Sequence, residues 1–185
     1  MPIRVLVVED EWLIALTIQQ QVRAQGYEVT GIVGTGAAAL EACAKDSPEV
    51  IFMDIQMPVM DGLTATRKLM ETCPHPIIIV TGHAAYREAA EQAGAMDYVL
   101  KPLSTSLIPS IIEAALERFA RFQFVCSEYA TCQEAVSAWV VVQKAVRQLM
   151  ERESLPEEEA FARLQQRATE RQILLVSAAR EAVAG

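Results

Sequence analysis

The chain has 185 residues, of which 52% are hydrophobic, and a formal net charge of −8. The length suits one large domain or one domain with a small second one, and the 8 Gly and 8 Pro are too few for a disordered or collagen-like chain. Residues 1–122 hold 9 basic and 15 acidic side chains, and residues 123–185 hold 7 and 9. Neither part therefore has the overall basic charge of a strongly nucleic-acid-binding domain.

The cysteines and the N-terminus indicate the compartment. The four cysteines form no CxxC pair, and with two histidines the chain offers no plausible zinc set. Scattered thiols are typical of a reducing compartment. The N-terminal apolar run is too short for a signal peptide, and the apolar run 136–142 is too short to span a bilayer. We therefore expect a soluble cytoplasmic protein without membrane contact.

Short apolar runs alternate with helical patterns through the first part of the chain. Near-continuous apolar strands separated by amphipathic helices predict a doubly wound parallel α/β sheet of five strands, covered on both faces. The first helix repeats apolar residues at helical spacing, which predicts a buried face formed by Trp12, Ile14, Ala15, Ile18 and Val22. The predicted strands are 3–8, 27–33, 49–53, 76–80 and 96–100, and the predicted helices are 12–25, 37–45, 63–72, 84–92 and one from about Thr105.

The rest of the chain is predicted to be helical throughout. From about Ser106 to Met150 the pattern indicates one long helix or two helices nearly end to end, and two shorter helices follow over about 157–170 and 172–183. Ser154 with Glu157 three residues later is a candidate capping box for the first of these. Apolar residues recur through segment 113–142, which predicts a helical linker with a partner in the chain or in a dimeric coiled coil.

Charged and hydroxyl side chains follow the predicted strands at the points where the strands end. Because the carboxyl ends of parallel strands meet at one edge of a sheet, we expect these groups to lie together. Two carboxylates at ~4 Å repel by roughly 4 kcal/mol at an effective dielectric near 20, and Mg²⁺ removes this repulsion. A carboxylate beside Mg²⁺ and a lysine is a nucleophile for phosphoryl transfer. The groups are Glu9 and Asp10 after the first strand, Asp54 after the third, Thr81 after the fourth and Lys101 after the fifth.

The segments VLVVEDE, IFMDIQMPVMDG, IIIVTGHA and DYVLKP, in this order, resemble the flavodoxin-like receiver domain of bacterial two-component response regulators. The resemblance implies a histidine kinase or phosphotransfer protein as the phosphoryl donor, and Mg²⁺ as the cofactor. It implies that Asp54 is the phosphoacceptor and that Mg²⁺ is bound by Glu9, Asp10, Asp54 and the backbone carbonyl of Gln56. It implies that Thr81 and Tyr98 form a switch pair, and that Lys101, which precedes a cis Pro102, binds the phosphate. Gln56 and His83 occupy the positions that control the rate of dephosphorylation.

In the helical part, Arg163, Arg167 and Arg171 stand four residues apart and would form one stripe on a helix. Such a stripe can meet nucleic-acid phosphates. The alternative is an ordinary solvated face on which Glu159 pairs with Arg163, and the pattern alone favours this alternative.

The region around the stretch 143–168 is similar to the ANTAR domain, a three-helix RNA-binding module of transcription antiterminators, over roughly 55 residues. The similarity lies in Lys144-Ala145, Leu149-Met150, the glutamates 157–159, Ala160-Phe161 and the later alanines. The family usually reads KAKGxLM, whereas this chain has Val146 and Arg147 in place of the lysine and the glycine. The residues implied to contact RNA are Lys144, Arg147, Arg163, Arg167 and Arg171.

Together these features predict a non-enzymatic response regulator with a receiver domain at 1–122 and an ANTAR-like output domain at 123–185. Phosphorylation of Asp54 would favour a homodimer that binds RNA hairpins in a nascent transcript and prevents termination. The alternative is a phosphorylation-dependent switch whose helical domain binds a protein instead of RNA. A DNA-binding output would need a recognition helix behind a tight turn, which is not visible. Residues 123–185 contain no His and no Asp, which disfavours an enzymatic output.

Overall fold

A computed structural model of the chain describes residues 2–184. The residues divide into two compact units, and the division falls between Arg121 and Phe122. The first unit contains one parallel sheet in the order β2-β1-β3-β4-β5, which confirms the predicted doubly wound α/β fold. Its strands are β1 Arg4–Val8, β2 Glu28–Val33, β3 Val50–Met53, β4 Ile77–Thr81 and β5 Asp97–Leu100. Its helices are α1 Trp12–Ala24, α2 Gly36–Asp46, α3 Gly62–Thr72, α4 Arg87–Gln92 and α5 Ile108–Cys126, of which α5 continues past the division.

The strand register brings the carboxyl ends of the strands level with one another. Val8 at the end of β1 is paired with Met53 at the end of β3, and the N–H of Asp54 donates to the Val8 carbonyl at 2.9 Å. The N–H of Lys101 donates to the carbonyl of Thr81 at 2.8 Å. Every residue of β3 and β4 is buried, as expected for strands covered on both faces. The residues that follow these strands therefore emerge at one edge of the sheet.

The prediction for the buried face of α1 was right for three of its five residues. Ala15, Ile18 and Val22 are buried and Ile14 is half-buried, but Trp12 is 62% exposed. Trp12 begins the helix, one turn before the first position that the unit covers, so helical spacing alone does not bury it. Its position leaves a large aromatic side chain exposed close to the edge of the sheet where β1 ends.

The second unit contains α6 Cys132–Glu153, α7 Glu157–Arg171 and α8 Leu175–Ala184. Residues 127–131 separate α5 from α6, so there are two helices and not one long helix. The Thr131 hydroxyl oxygen accepts a hydrogen bond from the N–H of Glu134 at 3.2 Å, and the hydroxyl donates to the Glu134 carboxylate at 3.0 Å. Thr131 thus acts as the N-cap of α6 and stabilises the start of the helix.

The capping box predicted for Ser154 and Glu157 was wrong. Ser154 ends α6 in the left-handed conformation with φ of 52°, and the residue before α7 is Pro156, whose side chain makes no capping hydrogen bond. A serine two residues farther from the helix than the N-cap position does not occupy the place from which a hydroxyl reaches the first free N–H groups.

The three helices of the second unit share one apolar core. Trp139 of α6 is 2% exposed, and its ring packs edge-on against that of Phe122 with 6.0 Å between the centroids. Phe161 and Leu164 of α7 and Leu175 of α8 are buried in the same unit. Among residues 2–184, no helix combines the length and the apolar character needed to cross a lipid bilayer.

Candidate functional site

Three carboxylates meet at the carboxyl edge of the sheet. Glu9 and Asp10 directly follow β1 and Asp54 directly follows β3, and one oxygen from each lies within 4.8 Å of the other two. Glu9 and Asp54 are buried, at 2% and 7% exposure, whereas Asp10 is exposed. Oxygen atoms this close, with one carboxylate open to solvent, suit a hard divalent cation such as Mg²⁺, which binds through a few carboxylates and keeps several waters.

Lys101 lies against two of these carboxylates. Its Nζ atom donates to Glu9 Oε2 at 2.6 Å and to Asp54 Oδ2 at 3.0 Å. Burial lowers the pKa of Lys101, but its hydrogen bonds to Glu9 and Asp54 outweigh this and raise the pKa above its ordinary value. Burial raises the pKa of Glu9, although the hydrogen bond from Lys101 opposes the shift. Lys101 thus contacts two of the three clustered carboxyl groups, and one lysine does not balance the negative charge of all three.

Thr81 ends β4 beside Lys101, and its hydroxyl has no hydrogen-bond partner among the described residues. The residue is 1% exposed, and its oxygen makes no hydrogen bond within residues 2–184. A buried hydroxyl left unpaired is unfavourable by about 1–3 kcal/mol. An oxyanion bound at this edge would accept its hydrogen bond.

Tyr98 of β5 points into the first unit, where its side chain is held from two sides. The residue is 5% exposed and its hydroxyl donates to the carbonyl of His83. The Arg87 guanidinium lies 4.8 Å from the centre of the Tyr98 ring and donates to the Tyr98 carbonyl at 3.3 Å. Burial raises the pKa of Tyr98. The sequence did not predict the Arg87 contact, because the two residues lie in different elements and no local pattern relates them.

Gln56 and His83 connect the loops that follow β3 and β4. Gln56 Oε1 and His83 Nε2 are 3.0 Å apart, and both side chains are exposed. The peptide bond between Lys101 and Pro102 is cis, as the receiver resemblance implied. Two exposed polar side chains therefore span the loops next to the acidic site.

Gly62 is a residue of the site that the sequence reasoning missed. Its N–H donates to the carbonyl of Ile55 at 2.9 Å, and a Cβ atom added to it would lie 1.8 Å from the carbonyl oxygen of Asp54. Only glycine permits this approach of α3 to the backbone of Asp54. The Asp61-Gly62 pair at the end of the loop was the available signal, since Asp61 caps α3 by accepting from Thr64 N–H at 2.8 Å.

The predicted basic stripe of the second unit exists, but its arginines are ion-paired. Glu153, the last residue of α6, pairs with Arg163 and lies 3.4 Å from Arg167. Arg171 pairs with Glu181 of α8. The expected pairing of Arg163 with Glu159 was wrong, because Arg163 makes its ion pair with the neighbouring helix and not along its own.

The other predicted RNA contacts lie on α6. Lys144 and Arg147 are exposed, whereas Val146 is 7% exposed. Val146 therefore replaces the lysine of the family pattern at a position that this unit buries.

Comparison with known proteins matches both units. The family described as the response regulator receiver domain matches residues 5–113, and the ANTAR domain family matches residues 130–183. The transcriptional regulatory protein PdtaR of Mycobacterium tuberculosis is 34% identical over 172 residues, which cover 92% of this chain and 84% of that protein.

Other relatives match the first unit alone. A protein-glutamate methylesterase/protein-glutamine glutaminase of Geobacter metallireducens is 41% identical over 106 residues, or 54% of this chain and 30% of its own length. The receiver domain of a sensor histidine kinase of Pseudomonas aeruginosa, solved with a magnesium ion in its active site cleft, is 30% identical with a TM-score of 0.58. That match covers 63% of this chain and 99% of the solved domain.

Proposed function

This chain belongs to the two-component response regulators that join a receiver domain to an ANTAR domain, and on this premise we propose that phosphorylation of Asp54 controls RNA binding by the second unit. One observation carries the proposal for the first unit: Lys101 lies between Glu9 and Asp54 at the edge where Thr81 ends β4. This arrangement supplies a nucleophile, a cation and a hydroxyl donor for a phosphoryl group.

The proposed reaction moves a phosphoryl group from a histidine of a kinase or phosphotransfer protein to Asp54. An oxygen of the Asp54 carboxylate forms a bond to phosphorus as the bond from phosphorus to the histidine nitrogen breaks, and the nitrogen keeps the electron pair and takes up a proton. The product is an aspartyl phosphate on this chain and a free histidine on the donor. The covalent step is thus a displacement at phosphorus, in which the protein mainly positions and stabilises charge.

Asp10, Asp54 and the backbone carbonyl of Gln56 would hold Mg²⁺, with Glu9 in the same pocket. When bound, Mg²⁺ neutralises negative charge on the phosphoryl oxygens. Lys101 is already protonated and in contact with Asp54, so it can bind a phosphoryl oxygen after a small movement. The unpartnered Thr81 hydroxyl would donate to another of these oxygens.

The consequence of phosphorylation would be relayed by Thr81 and Tyr98. A hydrogen bond from Thr81 to the phosphoryl group changes the surroundings of the loop that carries His83, whose carbonyl accepts from Tyr98. We propose that this shift biases the surface formed by α4 and β5 toward homodimer formation. A dimer presents two copies of the second unit, which increases avidity for a transcript that carries two hairpins.

The second unit would bind an RNA hairpin in a nascent transcript and prevent a terminator from forming. Its exposed Lys144 and Arg147 and the arginine stripe are the candidate phosphate contacts. The relative PdtaR, a transcriptional regulatory protein, aligns across both units, which supports an output in gene expression.

The test is selection of RNA from a transcript pool by the full chain in Mg²⁺, with and without beryllofluoride as the phosphoryl mimic. We expect a common hairpin to be enriched, more strongly with the mimic, and the Asp54→Ala variant to lose the effect of the mimic. Protein that binds the mimic but enriches no RNA in either state would contradict the RNA output.

The ion pairing of all three stripe arginines favours one second candidate, a switch whose helical unit binds a protein partner. Salt dependence separates the two candidates. Neutralising phosphates releases counterions, so RNA binding falls steeply as salt increases, by a logarithmic slope of about 0.7–0.9 per phosphate contact.

A further inference from the structure

A cleft in the second unit gathers several arginines outside the phosphorylation site. It has a volume of about 320 Å³ and lies where the ends of α6 and α7 meet α8. This is far more than the roughly 10–15 Å³ of cavity that one water molecule needs. We call it the arginine cleft, and it is lined by Arg152, Arg167, Arg171, Ala178, Glu181 and Ala182.

The charges of the arginine cleft are suited to an oxyanion. Among the described residues that line it, three are arginines and one, Glu181, is acidic. Arg152 makes no ion pair within residues 2–184, and its side chain is exposed. A guanidinium group binds carboxylate and phosphate through the same paired N–H donors, so the two kinds of oxyanion compete for these donors.

Two of the cleft arginines, Arg167 and Arg171, are ion-paired with the chain's own carboxylates. Glu153 contacts both Arg163 and Arg167, and Glu181 contacts Arg171. The arginine side chains are 43–58% exposed, with 43% for Arg167 and 58% for Arg171. Ion pairs this exposed are weak and exchange readily, so a phosphate with better geometry can displace the carboxylates.

We propose that the arginine cleft binds a backbone phosphate of RNA, and that Glu153 and Glu181 compete with this phosphate for the arginines. The inference rests on the proposed RNA-binding function and adds a site and its regulation. The two glutamates lower the affinity for any polyanion, and an RNA that offers further contacts overcomes this competition. The chain then binds a matching hairpin while it discriminates against unrelated RNA.

The cleft is tested first without RNA, on the full chain, with inorganic tripolyphosphate as the probe. The Nε–H resonances of the arginines are followed by NMR during the titration. We expect those of Arg152, Arg167 and Arg171 to shift, and the Glu153→Gln variant to bind about threefold more tightly, in line with the weakness of exposed ion pairs. Glu181→Gln should act in the same direction and provides a second variant.

The matched control is Glu151→Gln. It removes the same charge two residues earlier on α6, where Glu151 is exposed and makes no ion pair within the described residues. We expect it to leave the affinity for tripolyphosphate close to that of the wild type. Equal tightening by Glu151→Gln and Glu153→Gln would overturn the proposal, because overall charge would then explain the effect. Absence of any shift at the three cleft arginines would overturn it as well.

A second arm uses the hairpin enriched in the RNA selection. Glu153→Gln should bind it more tightly than Glu151→Gln does, because the arginines no longer have to release a carboxylate before they bind the phosphate. An enriched hairpin whose affinity is unchanged by Glu153→Gln and by Arg152→Ala would overturn the arginine cleft and leave the proposed function standing. A cleft that binds tripolyphosphate in a protein that enriches no RNA would overturn the proposed function and the RNA ligand together.

Discussion

The two units hold their positive charges in opposite ways. In the first unit, Lys101 has an 18% exposed side chain and lies between two carboxylates that are 1% and 8% exposed. In the second unit, Arg171 and its partner Glu181 are 58% and 52% exposed. The first arrangement is a buried cluster at the edge of a sheet, and the second is a surface network between helices.

This difference determines what each charge does. Removing one member of a buried cluster leaves the others uncompensated where water cannot solvate them, which is strongly unfavourable. Removing one member of an exposed pair leaves a charge that water and salt screen well. The buried cluster therefore combines a structural and a chemical role, whereas the surface network is free to exchange partners.

The Gly62→Ala substitution should disturb the buried cluster most, through its backbone. The added Cβ would lie 1.8 Å from the Asp54 carbonyl oxygen, which is rigid backbone, so α3 or the segment after β3 must move. We expect a decrease of about 3 kcal/mol in the free energy of unfolding, at the upper end of overpacking effects. Urea denaturation measures the decrease, and beryllofluoride binding should weaken with it.

The matched control is Gly82→Ala. Nothing lies within 4 Å of a Cβ atom at this position, and Gly82 does not have a positive φ. Its free energy of unfolding should stay near that of the wild type. A Gly62→Ala variant as stable as Gly82→Ala would show that α3 is not fixed against Asp54.

The Lys101→Met substitution should have the next largest effect on stability. Glu9 and Asp54 would lose the lysine that bridges them, and we expect a decrease of about 2 kcal/mol in the free energy of unfolding, less than for a fully buried pair because Lys101 is partly exposed. Mg²⁺ should raise the unfolding midpoint of this variant more than that of the wild type, because the cation then replaces the positive charge that the lysine supplied.

Lys68→Met is the control for the loss of a lysine. Lys68 is exposed on α3, and its side chain makes no ion pair within residues 2–184. Its stability and its response to Mg²⁺ should match those of the wild type. Equal stabilisation of all three proteins by Mg²⁺ would contradict the role given to Lys101 in charge compensation.

A smaller effect is expected from Arg87→Ala in the first unit. The guanidinium over the Tyr98 ring and its hydrogen bond to the Tyr98 carbonyl contribute together about 1 kcal/mol. We expect the variant to be less stable by this amount and the Tyr98 ring resonances to change in the NMR spectrum. Arg67→Ala, which removes an exposed arginine of α3, is the control, and unchanged Tyr98 resonances in Arg87→Ala would contradict the contact.

The same contrast explains how far the sequence predicted the site. The alternation of strands with helices predicted a parallel sheet, and the carboxyl ends of parallel strands meet at one edge. This predicted that Glu9, Asp54 and Lys101 lie together. It did not predict the approach of Gly62 to Asp54 or the position of Arg87 over Tyr98, since these depend on how separate elements pack. The exposure of Trp12 was missed for a related reason. Helical spacing predicts which face of α1 is apolar, but it does not predict how far along the helix other elements pack against that face.

In the second unit, the sequence predicted helices better than the contacts between them. The break before α6 could have been predicted from Thr131 and Glu134, which have the spacing of a capping box. The arginine stripe followed from spacing along one helix, but its partners did not. Local rules relate residues four apart, and they proposed Glu159 for Arg163, whereas Glu153 reaches Arg163 from another helix.

The smallest effect on stability is expected from Glu153→Gln, although this variant should change anion binding. The ion-pair partners of Glu153 are exposed, with the Arg163 side chain at 48% and that of Arg167 at 43%. Loss of these two ion pairs should therefore lower the free energy of unfolding by about 0.5 kcal/mol or less at physiological salt. The fluorescence of Trp139, which is buried in the second unit, reports this unfolding in a Trp12→Phe background that removes the exposed tryptophan.

The decrease should become larger at low salt, where surface charges are screened less. The decrease caused by Lys101→Met should depend far less on salt, because its partners are buried. A loss of about 2 kcal/mol or more in Glu153→Gln, independent of salt, would mean that the glutamate is a fixed structural element like Lys101. A phosphate could then not displace Glu153 from its arginines, as binding in the arginine cleft requires. The ion pairs of the second unit would then be as fixed as those of Lys101 in the first unit.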